Sequence, residues 1–202
     1  SAERADLDVM QQIFATNVQG MAATFHPFIA PMRARGSGRL VGIASVAGIR
    51  GLPGHGAYSA SKAAAITYCE SLRGDLRGSG VQVLTLLPGY IATPMTAGDH
   101  FSLPFLLGAE EFARRAQRAI AAGSSYRVIP WQMGVAARLL RLLPNPVFDR
   151  LFAGRPRKPR LAAAAAAAPA APAAPAVNGR SSCPPASRHA STTSEPTPPT
   201  PA

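Results

Sequence analysis

Cysteine, acidic residues and long apolar runs are all scarce in this 202-residue sequence, and each scarcity removes a class of protein. The two cysteines are Cys69, in a helix-forming stretch, and Cys183, in a Pro-rich one, so a structural disulfide is not expected and a reducing compartment is. The histidines, His26, His55, His100 and His189, have no metal-ligand spacing among themselves or with cysteine, and no zinc site is expected. No window reaches the roughly 18 unbroken apolar residues of a spanning helix. An N-terminal signal peptide is not expected either, and the location expected is cytoplasmic.

Ten Asp/Glu stand against twenty-one Lys/Arg, a formal net charge of +11. The excess divides into +6 over 1–154 and +5 over 155–202, so nearly half of it sits in the last quarter of the chain. No aromatic-studded basic surface or DNA-binding motif accompanies it, which speaks against nucleic acid as a partner. From Arg155 onward the sequence turns to Arg-Pro-Arg-Lys-Pro-Arg, then an Ala/Pro tract, then Ser/Thr/Pro-rich residues. Such a segment has too little large apolar surface to offset the entropy of ordering, and 155–202 reads as a disordered tail. Residues 1–154 remain as the folding unit.

Within that unit, Val9, Ile13, Phe14, Met21, Phe25, Phe28, Ile29 and Met32 give roughly helical spacing from about Asp8 to Arg33, with Pro27 and Pro31 expected to kink or end the last turns. Arg39–Ala44 reads as a strand, Ala57–Arg77 as a helix closed by Gly78-Ser-Gly80, and Val81–Leu87 as a second strand bounded by Pro88. Both strands are nearly continuous apolar runs, as expected when helices cover both faces of a parallel sheet. The fold class is α/β, built as part of a doubly wound sheet.

One constellation carries chemistry. In Tyr58-Ser-Ala-Ser-Lys62 a phenol and an ammonium lie four residues apart in a helix, one turn above each other on the same face, and Ser45 leaves the first strand thirteen residues before the tyrosine. A free phenol has a pKa of about 10, and a fixed cation close by lowers that value, which is how a tyrosine becomes a usable acid near neutrality. The spacing alone also describes a surface Tyr and a snorkelling Lys on a solvated helix face. The neighbours decide between the two. Asn17-Val-Gln-Gly20 lies in the preceding helix, and Leu86-Leu-Pro88-Gly89-Tyr-Ile91-Ala-Thr93 follows the next strand.

This ordered set resembles the short-chain dehydrogenase/reductase family, whose pattern is a Ser, about a dozen residues, then Tyr-x-x-x-Lys, flanked by a helix asparagine and a Pro-Gly loop. The resemblance implies a Rossmann-type fold and an NAD- or NADP-dependent oxidoreductase that moves a hydride between nicotinamide and a carbonyl or alcohol substrate. It implies Asn17, Ser45, Tyr58 and Lys62 as the catalytic set: Tyr58 as acid/base, Ser45 placing the substrate oxygen, Lys62 acting on the tyrosine and holding the ribose, and Asn17 holding a water that links Lys62 to solvent. Tyr58, Lys62, Pro88, Gly89, Ile91 and Thr93 would border the cofactor. The helices carrying Asn17 and Tyr58 would form the contact of a homo-oligomer.

The family also needs a strand, a Gly-rich turn and a helix to seat the pyrophosphate. No segment before Asn17 supplies them, and Gly36-Ser-Gly38 precedes a strand, the wrong topology for a phosphate cradle. The expectation is the C-terminal part of the fold, without its dinucleotide fingerprint. The competing reading is a truncated, catalytically incompetent fragment or interaction module.

Residues 94–154 read as the substrate segment. Phe101-Ser-Leu-Pro-Phe-Leu-Leu107 is apolar enough to line a pocket, Ala109–Ala122 reads as an amphipathic helix with Glu110 and Glu111 near its start, and a last helix is expected from about Trp131 to Leu143, stopped by Pro144 and Pro146. Its apolar residues with Arg138, Arg141 and the basic run that follows admit an interfacial helix on an anionic membrane over 131–160. A helix covering the core or the substrate pocket is the reading preferred here.

Overall fold

The computed structural model describes residues 7–93 and 104–154, so the tail from 155 and the first three residues of the apolar segment 101–107 lie outside the described residues. The elements, in order, are α1 (Leu7–Phe14), a π-helical turn (Ala15–Gln19), α2 (Gly20–Ala34), β1 (Gly38–Ile43), a 3-10 turn (Val46–Gly48), α3 (Gly56–Asp75), β2 (Val81–Pro88), β3 (Ile91–Ala92), β4 (Leu107–Gly108), α4 (Ala109–Ala121), β5 (Tyr126–Ile129), α5 (Trp131–Leu142) and α6 (Asn145–Phe152).

β2 is the middle of a three-stranded parallel sheet in the order β1-β2-β5, with Gly38 opposite Val81 and Thr85 opposite Tyr126. Its apolar run serves both faces because successive side chains point opposite ways. Val81 and Val83 pack with Phe25 of α2, Leu40 of β1 and Cys69 of α3, while Leu87 packs with Ala65 of α3, Val128 of β5 and Met133 of α5. Leu84 and Leu86 face the other way, onto Ala116 and Ala119 of α4 with Ile129. Thus α2, α3 and α5 cover one face and α4 the other. Both crossovers step in the same direction across the sheet, yet α3 passes over one face and α4 over the opposite one. The two are therefore of opposite hand, and one departs from the right-handed rule for parallel strands.

Several expectations need correction. Pro27 and Pro31 do not end the helix, which runs on to Ala34. Each proline leaves the carbonyl four residues earlier without its helical donor, but Ala23 and Pro27, which carry those carbonyls, are exposed and can be met by water. α5 does end at Leu142, before Pro144 and Pro146 as expected, but the same prolines then open a further helix, α6, with Pro144 at its cap and Pro146 in the first turn, where a missing N–H is not needed. The four-residue β5 and the two-residue pair β3–β4 were too short for periodicity to show. Between α3 and β2, Gly80 has φ +78° and an added Cβ would lie 1.8 Å from the Gly36 carbonyl oxygen, so both conformation and space require glycine there.

Arg50, in the loop between β1 and α3, fastens the C-terminal helices to this body. Its guanidinium donates to the carbonyls of Arg141 and Leu143, both at 3.0 Å, and to Asn145 Oδ1 at 3.1 Å, and stacks 4.0 Å over the ring of buried Phe148. These bonds meet carbonyls at the end of α5 that no longer have helical partners. Arg50→Ala is expected to lower stability by about 2 kcal/mol in urea unfolding, and Arg50→Lys to recover less than half of it, because an ammonium cannot reproduce the planar fork. Equal stabilities for the three proteins would show that the clasp is incidental.

Candidate active site

The C-terminal ends of β1 and β2 bring the candidate residues to one edge of the sheet. Ser45 follows β1 and caps the 3-10 turn: its Oγ accepts from Ala47 N at 3.2 Å, and the residue is 8 % exposed. A hydroxyl that accepts from the backbone still has its own proton to donate. α3 supplies the rest. Tyr58 stands in its first turn and is 38 % exposed, so its phenol can be reached. Lys62, one turn on, donates from Nζ to the Ile43 carbonyl at 2.9 Å and lies 5.8 Å from the centroid of the Tyr58 ring, within cation–π range. The ammonium has three N–H donors, so its bond to Ile43 leaves capacity for other acceptors. Burial lowers the Lys62 pKa from its ordinary 10.5.

Asn17 reaches this group through a residue that sequence reasoning passed over. It sits in the middle of the π-helical turn, a distortion that often marks functional positions. Its Nδ2 donates to Ser61 Oγ at 3.0 Å, and Ser61 Oγ donates to the Tyr58 carbonyl at 2.8 Å. Ser61 is fully buried. A small hydroxyl three residues after Tyr58 was the available signal, since Ser can bond back to the preceding turn.

Gly48 is the second residue missed. An added Cβ would lie 2.7 Å from the Lys62 carbonyl carbon and 2.8 Å from Ala63 N. The turn after Ser45 thus rests directly on the backbone of α3 at Lys62, and only a residue without a side chain permits that approach.

The Pro-Gly loop extends the same edge. Pro88 ends β2 opposite Ile129, Gly89 N donates to the Ile129 carbonyl at 2.8 Å, and Ile91 pairs with Leu107 in β3–β4. Thr93 follows at a bend, directly before the residues outside the description. Phe105 and Leu106, expected to line a pocket, are about half exposed at 52 % and 50 %. A separate cleft of about 350 Å³ lies between α3 and α5, lined by Glu70, Arg73, Thr85, Ser125, Tyr126 and Arg138, and shares no residue with the cluster.

The fold is a parallel α/β sheet with Ser45 just past the carboxyl end of β1 and the Lys62 ammonium bonded to Ile43 there, the end of the sheet where ligands of open α/β sheets bind. The family model for short chain dehydrogenase matches residues 1–100. An uncharacterized oxidoreductase of Myxococcus xanthus is 43% identical over 149 residues, which cover 74% of this chain and 59% of that protein. The ketoacyl reductase HetN of a Nostoc species is 40% identical over 100 residues, 49% of this chain and 35% of that protein. In fold, the chain is similar to a short chain dehydrogenase from Burkholderia cenocepacia solved in complex with NADP, with TM-score 0.64 at 22% identity over 76% of this chain and 62% of that one. The chain belongs to the short-chain dehydrogenase/reductase family. It spans 59% of the length of the Myxococcus relative.

Gly48→Ala is expected to cost about 1–3 kcal/mol in urea unfolding, because the new methyl meets backbone that cannot swing aside. An unchanged midpoint would show that the turn does not rest on α3. Lys62 predicts a pH signature. In the unfolded chain the amine holds its proton up to about its ordinary 10.5, whereas the folded value is lower, so between the two the unfolded state binds more protons and stability rises with pH. The penalty is absent above 10.5 and is felt in full below the folded value. Lys62→Met should remove this alkaline rise from a series of unfolding midpoints, and a rise that persists in the variant belongs to another group.

Proposed function

We propose that this chain carries the proton-transfer site of a nicotinamide-dependent oxidoreductase acting on a small carbonyl or alcohol substrate, with Tyr58 as the acid/base. The observation that carries the reading is the hydrogen bond from Lys62 Nζ to the Ile43 carbonyl, which ties the turn of α3 bearing Tyr58 to the end of β1, two residues before Ser45.

The residues present fit the nicotinamide end of NAD or NADP. Lys62 offers ammonium donors suited to ribose hydroxyls, and Pro88, Gly89, Ile91 and Thr93 would border the ring from the end of β2. The NADP bound by the Burkholderia neighbour supports this cofactor class. When bound, the nicotinamide gives or takes the hydride. The protein handles the proton. In the reducing direction the Tyr58 hydroxyl donates its proton to the substrate oxygen, and in the oxidising direction the phenolate accepts it. The Ser45 hydroxyl, its oxygen engaged by Ala47 N, donates a hydrogen bond to the same oxygen and places it. Lys62 keeps a positive charge beside the phenol ring, and Asn17 acts through Ser61 to hold the turn of α3 that presents Tyr58. Residues 94–154 serve as the substrate segment in this reading, and the helices carrying Asn17 and Tyr58 as a subunit contact, consistent with exposed Leu7, Met10 and Phe28.

The purified 202-residue chain is titrated with NADH and NADPH by fluorescence and assayed for turnover with carbonyl substrates. Turnover is expected to fall at least about a thousandfold in Tyr58→Phe while cofactor affinity stays within a few-fold, the pattern of a lost proton-transfer group. Turnover retained by Tyr58→Phe would remove the assignment, and no binding by the unaltered chain would remove independent activity.

A further inference from the structure

Helix α5 has more apolar surface than the core uses. Met133, Gly134 and Ala137 are its buried residues, packed toward Val128 and the body. On the other side Trp131, Val135, Leu139 and Leu142 recur at spacings of four, four and three, which places them in one stripe. All four are exposed, Trp131 at 66 % and Leu142 at 78 %. In α6, Val147 and Leu151 are also exposed, and buried Phe148, gripped by Arg50, fastens that helix to the body. An outward stripe of this kind on a fixed helix marks an interaction surface rather than a loose end.

The charge around it selects the occupant. Over 131–160 the sequence has seven Lys/Arg and one acidic residue, Asp149. Arg138 and Arg141 lie within α5, Arg150 within α6, and Arg155, Arg157, Lys158 and Arg160 follow directly in sequence. Among the described residues of α5 and α6 three arginines, Arg138, Arg141 and Arg150, stand against one acid, Asp149, so a second copy seated on this face would bring like charges together, which costs free energy. An anionic lipid surface receives both parts, the Trp/Leu stripe at the acyl boundary and the cations among the headgroups. No described helix is long and apolar enough to cross a membrane, so the contact is with the surface.

We propose that the outward face of α5 docks this protein on an anionic membrane surface, with Trp131, Val135, Leu139 and Leu142 as the inserted residues. The inference is independent of the oxidoreductase reading, since none of these residues belongs to the Ser45–Tyr58–Lys62 cluster.

Trp131 is the sole tryptophan of the chain and reports on the face directly. The full chain is mixed with vesicles of phosphatidylcholine and phosphatidylserine, or of phosphatidylcholine alone, and followed by flotation and tryptophan emission. The expected result is flotation with the anionic vesicles only, weakening as salt is raised, together with a blue shift of Trp131. Leu139→Ser combined with Leu142→Ser should weaken binding by at least about tenfold, from the lost apolar burial, with unchanged circular dichroism because both side chains are exposed. No flotation of the unaltered chain would overturn the proposal. So would flotation without a Trp131 shift that survives in the double variant, which would assign binding to the basic run alone. A blue shift that grows with protein concentration in the absence of lipid would overturn it in favour of a second copy.

Discussion

The reach of a single lysine sets the distance between a strand end and a helix. Lys62 Nζ donates to the Ile43 carbonyl at 2.9 Å, and Ile43 stands two residues before Ser45. A lysine stem has a limited length, so α3 cannot retreat from β1 without breaking the bond, and the approach of Gly48 to the Lys62–Ala63 backbone stops it from coming closer. Within these limits the phenol of Tyr58 and the hydroxyl of Ser45 come from two elements but share one neighbourhood. The register of β1 against β2 fixes the other coordinate, because a slip of one residue would turn Leu40 and its strand neighbours to the wrong face. The site is thus a consequence of how a strand and a helix are joined.

Much of this was legible before any coordinates. The four-residue spacing that sets Lys62 one turn from Tyr58 in a helix was readable, and β1, α3, β2 and α4 fall within a few residues of where apolar periodicity puts them. What escaped shares a physical cause. Gly48 reads locally as one glycine in a Gly-rich loop, and its requirement comes from the backbone of another element. Ser61 reads as one of two serines just after Tyr58, and its role appears only when the π-helical turn brings Asn17 to it. Pro144 and Pro146 read as a stop because the rule that prolines break helices is silent on whether they then begin one. Arg50 had no local signature at all.

α5 illustrates a different limit. Its composition permits both a core-covering helix and an interfacial one. Burial on one side and exposure on the other show that the residues suffice for both: small Gly134 and Ala137 with Met133 meet the body, and larger Trp131, Leu139 and Leu142 face outward. Size, not hydrophobicity alone, separates the sides. Close contact with a sheet favours small residues, and the bulky ones are left where there is room.

The clasp made by Arg50 has a bearing on the order in which the molecule assembles. Its hydrogen bonds join residues 91 to 95 apart in sequence, whereas Tyr58 and Lys62 lie on one helix and β1 pairs with β2 across a connection that contains that helix. Closing a long segment costs more chain entropy than closing a short one, and distant contacts are rewarded only after the intervening chain is in place. The β1–α3–β2 unit with its Ser45–Lys62 geometry can therefore form while α5 and α6 are still free. Local opening should run in reverse, with the terminal helices lifting away first and the junction of β1 with α3 keeping its shape longest.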